Sequence, residues 1–274
     1  MSTAPIVRTF QLSKGVGPWR EKDLWARGIL TWEDFERAAR KAVVMSKRLD
    51  LETLRRIEEA REALKQGDLA TLAGWIPTRE HWRLYPHFAQ RAAFFDLEAD
   101  GENLITVGGV MDHTGVATFI RGKSLQQLPA RLGQSAIWVT FNGLVFDVPV
   151  LKHHFEDLPR PTVHLDLKVV LRKTRQTGGL KEIEERLGLA RPPHLKGLRG
   201  MDAIRLWREF NATRDVAALR FLVEYNLYDA INLRTLLDWA VNEISLTNVW
   251  GLDPLPVFGR GDVLYDLSQL VLAL

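Results

Sequence analysis

Arg91-Ala-Ala-Phe-Phe-Asp-Leu-Glu-Ala99, followed at once by Asp100-Gly101, is the stretch on which the fold turns. Aromatic and small apolar residues fill it and Asp-Gly is a hairpin-type turn signal, so 91–99 reads as a buried strand. Side chains two apart in a strand share a face, which sets Asp96 and Glu98 side by side. Two buried anions repel each other and lose hydration unless positive charge compensates. A divalent cation is the usual compensation, and ligation by carboxylate oxygens alone selects a hard ion such as Mg2+ or Mn2+. For an isolated Asp-x-Glu, two acids at a frayed strand edge would be account enough. Further acids downstream shift the balance.

Outward from this strand the pattern continues as a strand at 103–111, a turn at Asp112-His-Thr-Gly115 and a strand at 116–120. A helix near Ser124–Leu132, a strand at Ala136–Phe141, short helices, a strand near Val163 and a long helix from about Val216 to Val241 follow. A three-strand meander and then alternating helix and strand predict an α/β domain, a mixed sheet flanked by helices. Upstream, Pro18–Ala26, Trp32–Lys47 and Leu51–Lys65 carry apolar residues at helical spacing, interrupted by Gly28 and Gly67. Thr31 is the expected N-cap of the second helix, with Asp34 three residues on completing a capping-box pattern. The expected division is a small all-helical region at 1–75 and an aromatic, proline-punctuated connector at 76–90. The α/β domain follows at 91–244, then a Pro/Gly-rich tail at 245–274 to which the sequence gives no role.

Composition narrows the function classes. At 274 residues, with 46% hydrophobic and 26% charged residues, the chain has the make-up of a globular protein and not of a disordered one. No apolar stretch reaches the length of a membrane span, and Met1 to Arg8 has no signal-peptide core, so no membrane partner and a cytoplasmic location are expected. The absence of cysteine excludes disulfides, thiolate zinc sites and thiol nucleophiles. A net charge of +3 is too small to identify a partner, but residues 160–200 hold 10 basic against 4 acidic groups, among them Lys168, Arg172, Lys173, Arg175 and Lys181. Cations for a phosphate backbone beside anions for a metal are what a phosphodiester substrate requires, although a solvated helix face explains the same charges.

The third acid lies in Val139-Thr-Phe-Asn-Gly-Leu-Val-Phe-Asp-Val-Pro-Val150, where Asn142-Gly143 ends a strand and Asp147 opens a helix with Pro149 in its first turn. Asp at such a place is also an ordinary cap. The fourth lies in Val223-Glu-Tyr-Asn-Leu-Tyr-Asp-Ala-Ile-Asn-Leu233, where Tyr225 and Asp229 project from one face of a helix. A phenol and a carboxylate on a core-facing stripe need partners, and an exposed Tyr–Asp pair would not. Asp166, in Val163-His-Leu-Asp166, is a candidate fifth acid that reads more readily as a structural support near the site than as a metal ligand, and His164 reads more readily as a packing or surface residue than as a ligand.

In combination Asp96, Glu98, Asp147, Tyr225 and Asp229 resemble the four-acid 3′–5′ exonuclease superfamily on a ribonuclease H-like fold. Its branches differ in carrying His five residues before the last acid, here Glu224, or Tyr four before it, here Tyr225; this chain looks like the tyrosine (DEDDy) branch. Gly179-Leu-Lys-Glu-Ile-Glu-Glu-Arg-Leu-Gly188, Ala203-Ile-Arg-Leu-Trp207 and Trp82-Arg-Leu-Tyr85 are similar to segments of the YprB-type ribonuclease H-like family. The resemblance covers roughly residues 10 to 240. It implies that Asp96 bridges two ions, Mg2+ or Mn2+. Glu98 and Asp229 would complete the site that activates water, Asp147 would hold the second ion, and Tyr225 would orient the water. Phe10-Gln-Leu-Ser-Lys-Gly-Val-Gly-Pro-Trp-Arg20 resembles a helix–hairpin–helix turn, which implies phosphate contacts from Lys14, Gly15 and Gly17, although bulky Trp19 departs from that pattern. Further nucleic-acid contacts are expected from Asn142, Phe146, Lys168, Arg172, Lys173 and Lys181. The implied activity is metal-dependent 3′–5′ hydrolysis of DNA, preferably at single-stranded ends, with DNA favoured over RNA as partner; protein partners are left open. An RNA exonuclease using the same acids, or a non-catalytic nucleic-acid-binding module, is the alternative.

Overall fold

A computed structural model describes residues 4–189, 191–248, 255 and 267–272. Two compact units emerge: Met1–Ala89 with Val241–Leu255, and Gln90–Ala240 with Pro256–Leu274. Most of the tail expected at 245–274 lies outside the described residues. None of the described helices is long and apolar enough to cross a membrane.

The first unit is helical. It contains α1 (Pro18–Ala26), α2 (Trp32–Ala39), α3 (Lys47–Gln66), α4 (Leu69–Trp75) and the single turn α5 (Tyr85–Phe88). Thr31 caps α2 in a full capping box with Asp34, as expected. The helix expected to run on to Lys47 stops at Ala39. Asp50 accepts hydrogen bonds from the Val44 and Met45 N–H groups (2.8 and 3.0 Å), and Ser46 caps α3 at Leu49, so that backbone is taken by local side chains. Glu21 anchors the unit. Its buried carboxylate accepts from Thr9 Oγ1, the Phe10 N–H and Gln11 Nε2, and both of its oxygens meet the Arg83 guanidinium at 3.1 and 2.9 Å. Trp32 Nε1 adds a bond to the Thr9 carbonyl (2.7 Å).

The second unit is built on a five-stranded mixed sheet of order β3-β2-β1-β4-β5. The strands are β1 (Ala92–Ala99), β2 (Ile105–Asp112), β3 (Gly115–Ile120), β4 (Ile137–Thr140) and β5 (Val163–Asp166). β1–β2 and β2–β3 pair antiparallel, whereas β1–β4 and β4–β5 are parallel. The helices of this unit are α6 (Leu128–Leu132), α7 (Asp147–His154), α8 (Leu167–Arg172), α9 (Leu180–Leu187), α10 (Gly200–Thr213), α11 (Val216–Thr247, contributing up to Ala240) and α12 (Ser268–Leu272). This is the α/β architecture the strand and helix periodicities predict.

Alternation along β1 sorts core from site. Ala93, Phe95 and Leu97 enter a core with Leu128, Leu132, Trp138, Val150 and Leu151, and Phe95 meets Trp138 edge-on at 5.4 Å. Asp96 and Glu98 therefore emerge on the opposite face, where α11 covers the sheet. Opposite Asp96 in the ladder stands Gly109. A Cβ there would lie 2.6 Å from Asn226 Oδ1, so its lack of a side chain lets α11 come close to the strand.

Candidate active site

Three elements supply the acids. β1 presents Asp96 and Glu98, α7 opens on Asp147, and α11 presents Tyr225 and Asp229 from successive turns. One carboxylate oxygen each from Asp96, Glu98 and Asp229 lie within 4.8 Å of one another. Asn226, next to Tyr225 on α11, donates through Nδ2 to Asp96 Oδ2 (2.9 Å) and to the Asp96 carbonyl (3.1 Å), clamping the helix to the strand.

Asp147 arrives by a constrained turn. Asn142 has φ 63°, and a Cβ on Gly143 would lie 2.1 Å from Thr140 Oγ1, so glycine is required where the chain reverses after β4. Asp166 holds this turn: its carboxylate accepts from the N–H groups of Asn142 (2.9 Å), Leu144 (3.3 Å) and Lys168 (3.1 Å), which is a structural role. His164 bonds Thr140 Oγ1 through Nε2 at 2.8 Å. Leu144, Val145 and Phe146 are left exposed at 58%, 74% and 37%, an apolar ledge immediately before Asp147. Asp147 itself is buried, and its Oδ1 accepts from the Leu97 N–H at 3.1 Å, between the two strand acids. It lies outside the 4.8 Å group formed by the other three.

The electrostatics follow from crowding. Asp96 and Glu98 keep some accessible surface but are packed deeply enough that desolvation leads in pushing both carboxyls well above their ordinary range. Asp229 and Asp147 push both up further, and Lys181 pulls against them. Burial pushes Asp147 up to about 7, with Asp166 and Asp229 adding to the rise and the Leu97 N–H opposing it. The Tyr225 phenol is pushed up by burial and then by Asp229, Glu98 and Asp96, so it stays protonated. Among the described residues no group donates a hydrogen bond to the Glu98 carboxylate. A half-buried all-oxygen cluster of mutually repelling acids fits a hard divalent cation, and Asp96, Glu98 and Asp229 are the residues that could hold it.

Two cations already answer part of this charge. Lys181, in the first turn of α9, donates through Nζ to the Tyr225 hydroxyl and to Asp229 Oδ2 (3.1 Å). Arg191 donates through Nη2 to Asp229 Oδ1 and to Glu184 Oε1 (2.6 Å), and through Nε to Glu184 Oε2 (2.7 Å). Burial works against the guanidinium, but Asp229 and Glu184 together hold it above its ordinary value. Asn232 on α11 completes the cluster by donating to Glu184 Oε1 at 3.0 Å. Sequence reasoning names Lys181 but misses Arg191, Glu184 and Asn226. Asn226 and Asn232 flank the acid inside the Tyr225–Asp229 helix, and Glu184 falls within Gly179–Gly188, so for these a signal of position existed. For Arg191 there was only its place in a basic stretch.

The other expected nucleic-acid residues fall into two groups. Asn142, Phe146 and Lys168 gather at the ends of β4 and β5, where Lys168 Nζ donates to Asn142 Oδ1 at 3.2 Å; Arg172 and Lys173 are exposed at and just beyond the end of α8. Lys14, Gly15 and Gly17 belong to the other unit: Lys14 is exposed, Gly15 has φ 93°, and Gly17 caps α1. Arg20 turns back onto the Gly15 carbonyl and Trp19 is exposed.

Residues 93–241, more than half of the chain, match a family model described as the RNase_H superfamily. The match begins on β1 and runs past Asp229. No curated protein matches the chain.

Proposed function

Because this chain belongs to the RNase_H superfamily, we propose that it is a metal-dependent nuclease, and more closely a 3′–5′ exonuclease acting on DNA, preferably at single-stranded ends. The observation that carries this reading is the convergence of Asp96, Glu98 and Asp229, from one strand and one distant helix, on a space of ionic size. Mg2+ or Mn2+, as a pair of ions, would supply Lewis acidity toward the phosphodiester and a water. Asp96, Glu98 and Asp229 would hold one ion, and Asp147, whose Oδ1 faces the Leu97 N–H, would offer its remaining oxygen to the second.

Around this core, Asn142, Lys168, Arg172 and Lys173 would meet phosphates. On the ledge before Asp147, Phe146 would stack against an unpaired base with Leu144 and Val145 in apolar contact beside it, which favours a single-stranded end over duplex. In the helical unit, Lys14, Gly15 and Gly17 would contact backbone phosphate as a helix–hairpin–helix turn does. Tyr225 stays protonated and so serves as a hydrogen-bonding group, not as the base.

Digestion of 3′- and 5′-end-labelled single- and double-stranded DNA and RNA with Mg2+ and Mn2+ tests the reading. Loss of all cleavage in Asp96→Ala and Asp229→Ala, with unchanged circular dichroism, supports it. Activity retained by either purified, folded variant overturns it. A preference for labelled RNA would move the substrate assignment and leave the site assignment standing.

A further inference from the structure

The link from α9 to α11 has a directionality that the acids do not. A lysine ammonium has donors and no acceptor, so in the Lys181–Tyr225 bond the phenolic oxygen must accept. Lys181 Nζ also sits 4.1 Å from the centre of the Tyr225 ring and is bonded to Asp229 Oδ2, which fixes it over the phenol. With its acceptor side filled, Tyr225 has its own O–H left, and among the described residues that hydrogen is donated to none. One N–H of Lys181 is likewise unused. Beside them Arg191, whose side chain is only 8% exposed, has a buried Nη1 with no hydrogen-bond partner. Three donors therefore stand around Asp229 without acceptors of their own.

The local sequence builds this arrangement. Gly178, at φ 112°, and Gly179, the N-cap, turn the chain so that Glu182 bonds back to the Gly179 N–H at 3.1 Å and Lys181 leaves the first turn of α9. Glu184, one helical turn after Lys181, takes both Nε and Nη2 of Arg191 and so turns Nη1 outward from that fork.

We propose that Lys181 is a positioning residue that fixes the Tyr225 hydroxyl as a hydrogen-bond donor toward a non-bridging oxygen of the scissile phosphate, with Arg191 Nη1 as a neighbouring donor. This rests on the nuclease reading above and gives Tyr225 a different task from orienting the attacking water. Negative charge grows on the non-bridging oxygens during in-line displacement, and donors already aimed there act most strongly in the transition state.

The test compares the full chain with Lys181→Met, Lys181→Arg, Tyr225→Phe and the Lys181→Met/Tyr225→Phe double variant on a single-stranded oligonucleotide with Mn2+, alongside equilibrium Mn2+ binding followed by electron paramagnetic resonance. Lys181→Met is expected to lower kcat by about 100-fold, the scale of one lost transition-state donor, with KM moving by only a few-fold. Tyr225→Phe should match it, the double variant should lose little more than either single one, and Lys181→Arg should recover most of the rate. Mn2+ should bind Lys181→Met as tightly as the parent or tighter, because a cation beside Asp229 has been removed. Unchanged kcat in Lys181→Met, additive losses in the double variant, or loss of Mn2+ binding, which would make Lys181 a scaffold for Asp229, each overturns the proposal while leaving an active nuclease in place. A parent chain that binds Mn2+ and cleaves no nucleic acid overturns the nuclease reading and this inference with it.

Discussion

Asp147→Asn should make the metal-free protein more stable, and only above mildly acidic pH. Asp147 is buried, and its carboxyl is pushed up to about 7 by burial first and by Asp166 and Asp229 after it. In the unfolded chain such a group titrates near 4. Below pH 4 both states are protonated and nothing differs. Between about pH 4 and 7 the unfolded state has released its proton and the folded state keeps it, so stability falls by roughly 1.4 kcal/mol per pH unit and levels off above pH 7. Over the three-unit window the loss is on the order of 4 kcal/mol. Asparagine removes the charge, keeps the shape and retains an oxygen for the Leu97 N–H. The variant should equal the parent at pH 4 and exceed it at pH 8, by about 10 °C in Tm for a domain of this size. Asp96 and Glu98 are raised as well, so they slope the parent curve the same way and the substitution flattens it only in part. Thermal unfolding followed by far-ultraviolet circular dichroism, in EDTA, from pH 4 to 8.5, measures this directly. A parent Tm that is flat or rises from pH 5 to 7.5, with no advantage for Asp147→Asn at pH 8, would refute the electrostatic account of the site.

Two further substitutions probe the scaffold. Gly109→Ala puts a Cβ 2.6 Å from Asn226 Oδ1 and 3.2 Å from Leu227 Cδ2, and should cost about 1–3 kcal/mol in urea denaturation; adding Asn226→Ala should return part of it, and strict additivity would refute the clash. Arg83→Met leaves Glu21 and Glu80 without the guanidinium they share and should destabilise the helical unit by about 3–5 kcal/mol; a denaturation midpoint equal to the parent's would show that the pair contributes nothing.

The strands were legible because each has its own local signature. β1 alternates and ends on Asp100-Gly101, and observed strand bounds fall within about two residues of the expected ones. Helix boundaries were harder where side chains captured backbone. The apolar spacing of Trp32–Lys47 is helical throughout, yet Asp50, beyond its end, takes the Val44 and Met45 N–H groups and the helix ends at Ala39. α4 was missed although Gly67 and Asp68 are stop and start signals, Asp68 capping Thr71 at 3.0 Å. At seven residues, it shows too little periodicity to stand out.

The same distinction separates the acids of the site from what neutralises them. Asp96 and Glu98 declare themselves by a spacing of two, and Tyr225 and Asp229 by a spacing of four, because in each case one element fixes the geometry. Arg191 declares nothing. It reaches Asp229 across 38 residues of chain and Glu184 across seven, and both bonds depend on α9 being laid against α11. Local periodicity records which carboxylates share a face, but the compensating charge is chosen by tertiary packing. A chain with the same acids and no cation at 181 or 191 would carry two more uncompensated charges in the same space. It would need more positive charge from its metal before those acids could ionise together. The acids therefore show where negative charge gathers, whereas Lys181 and Arg191 set how much of it the protein compensates without help.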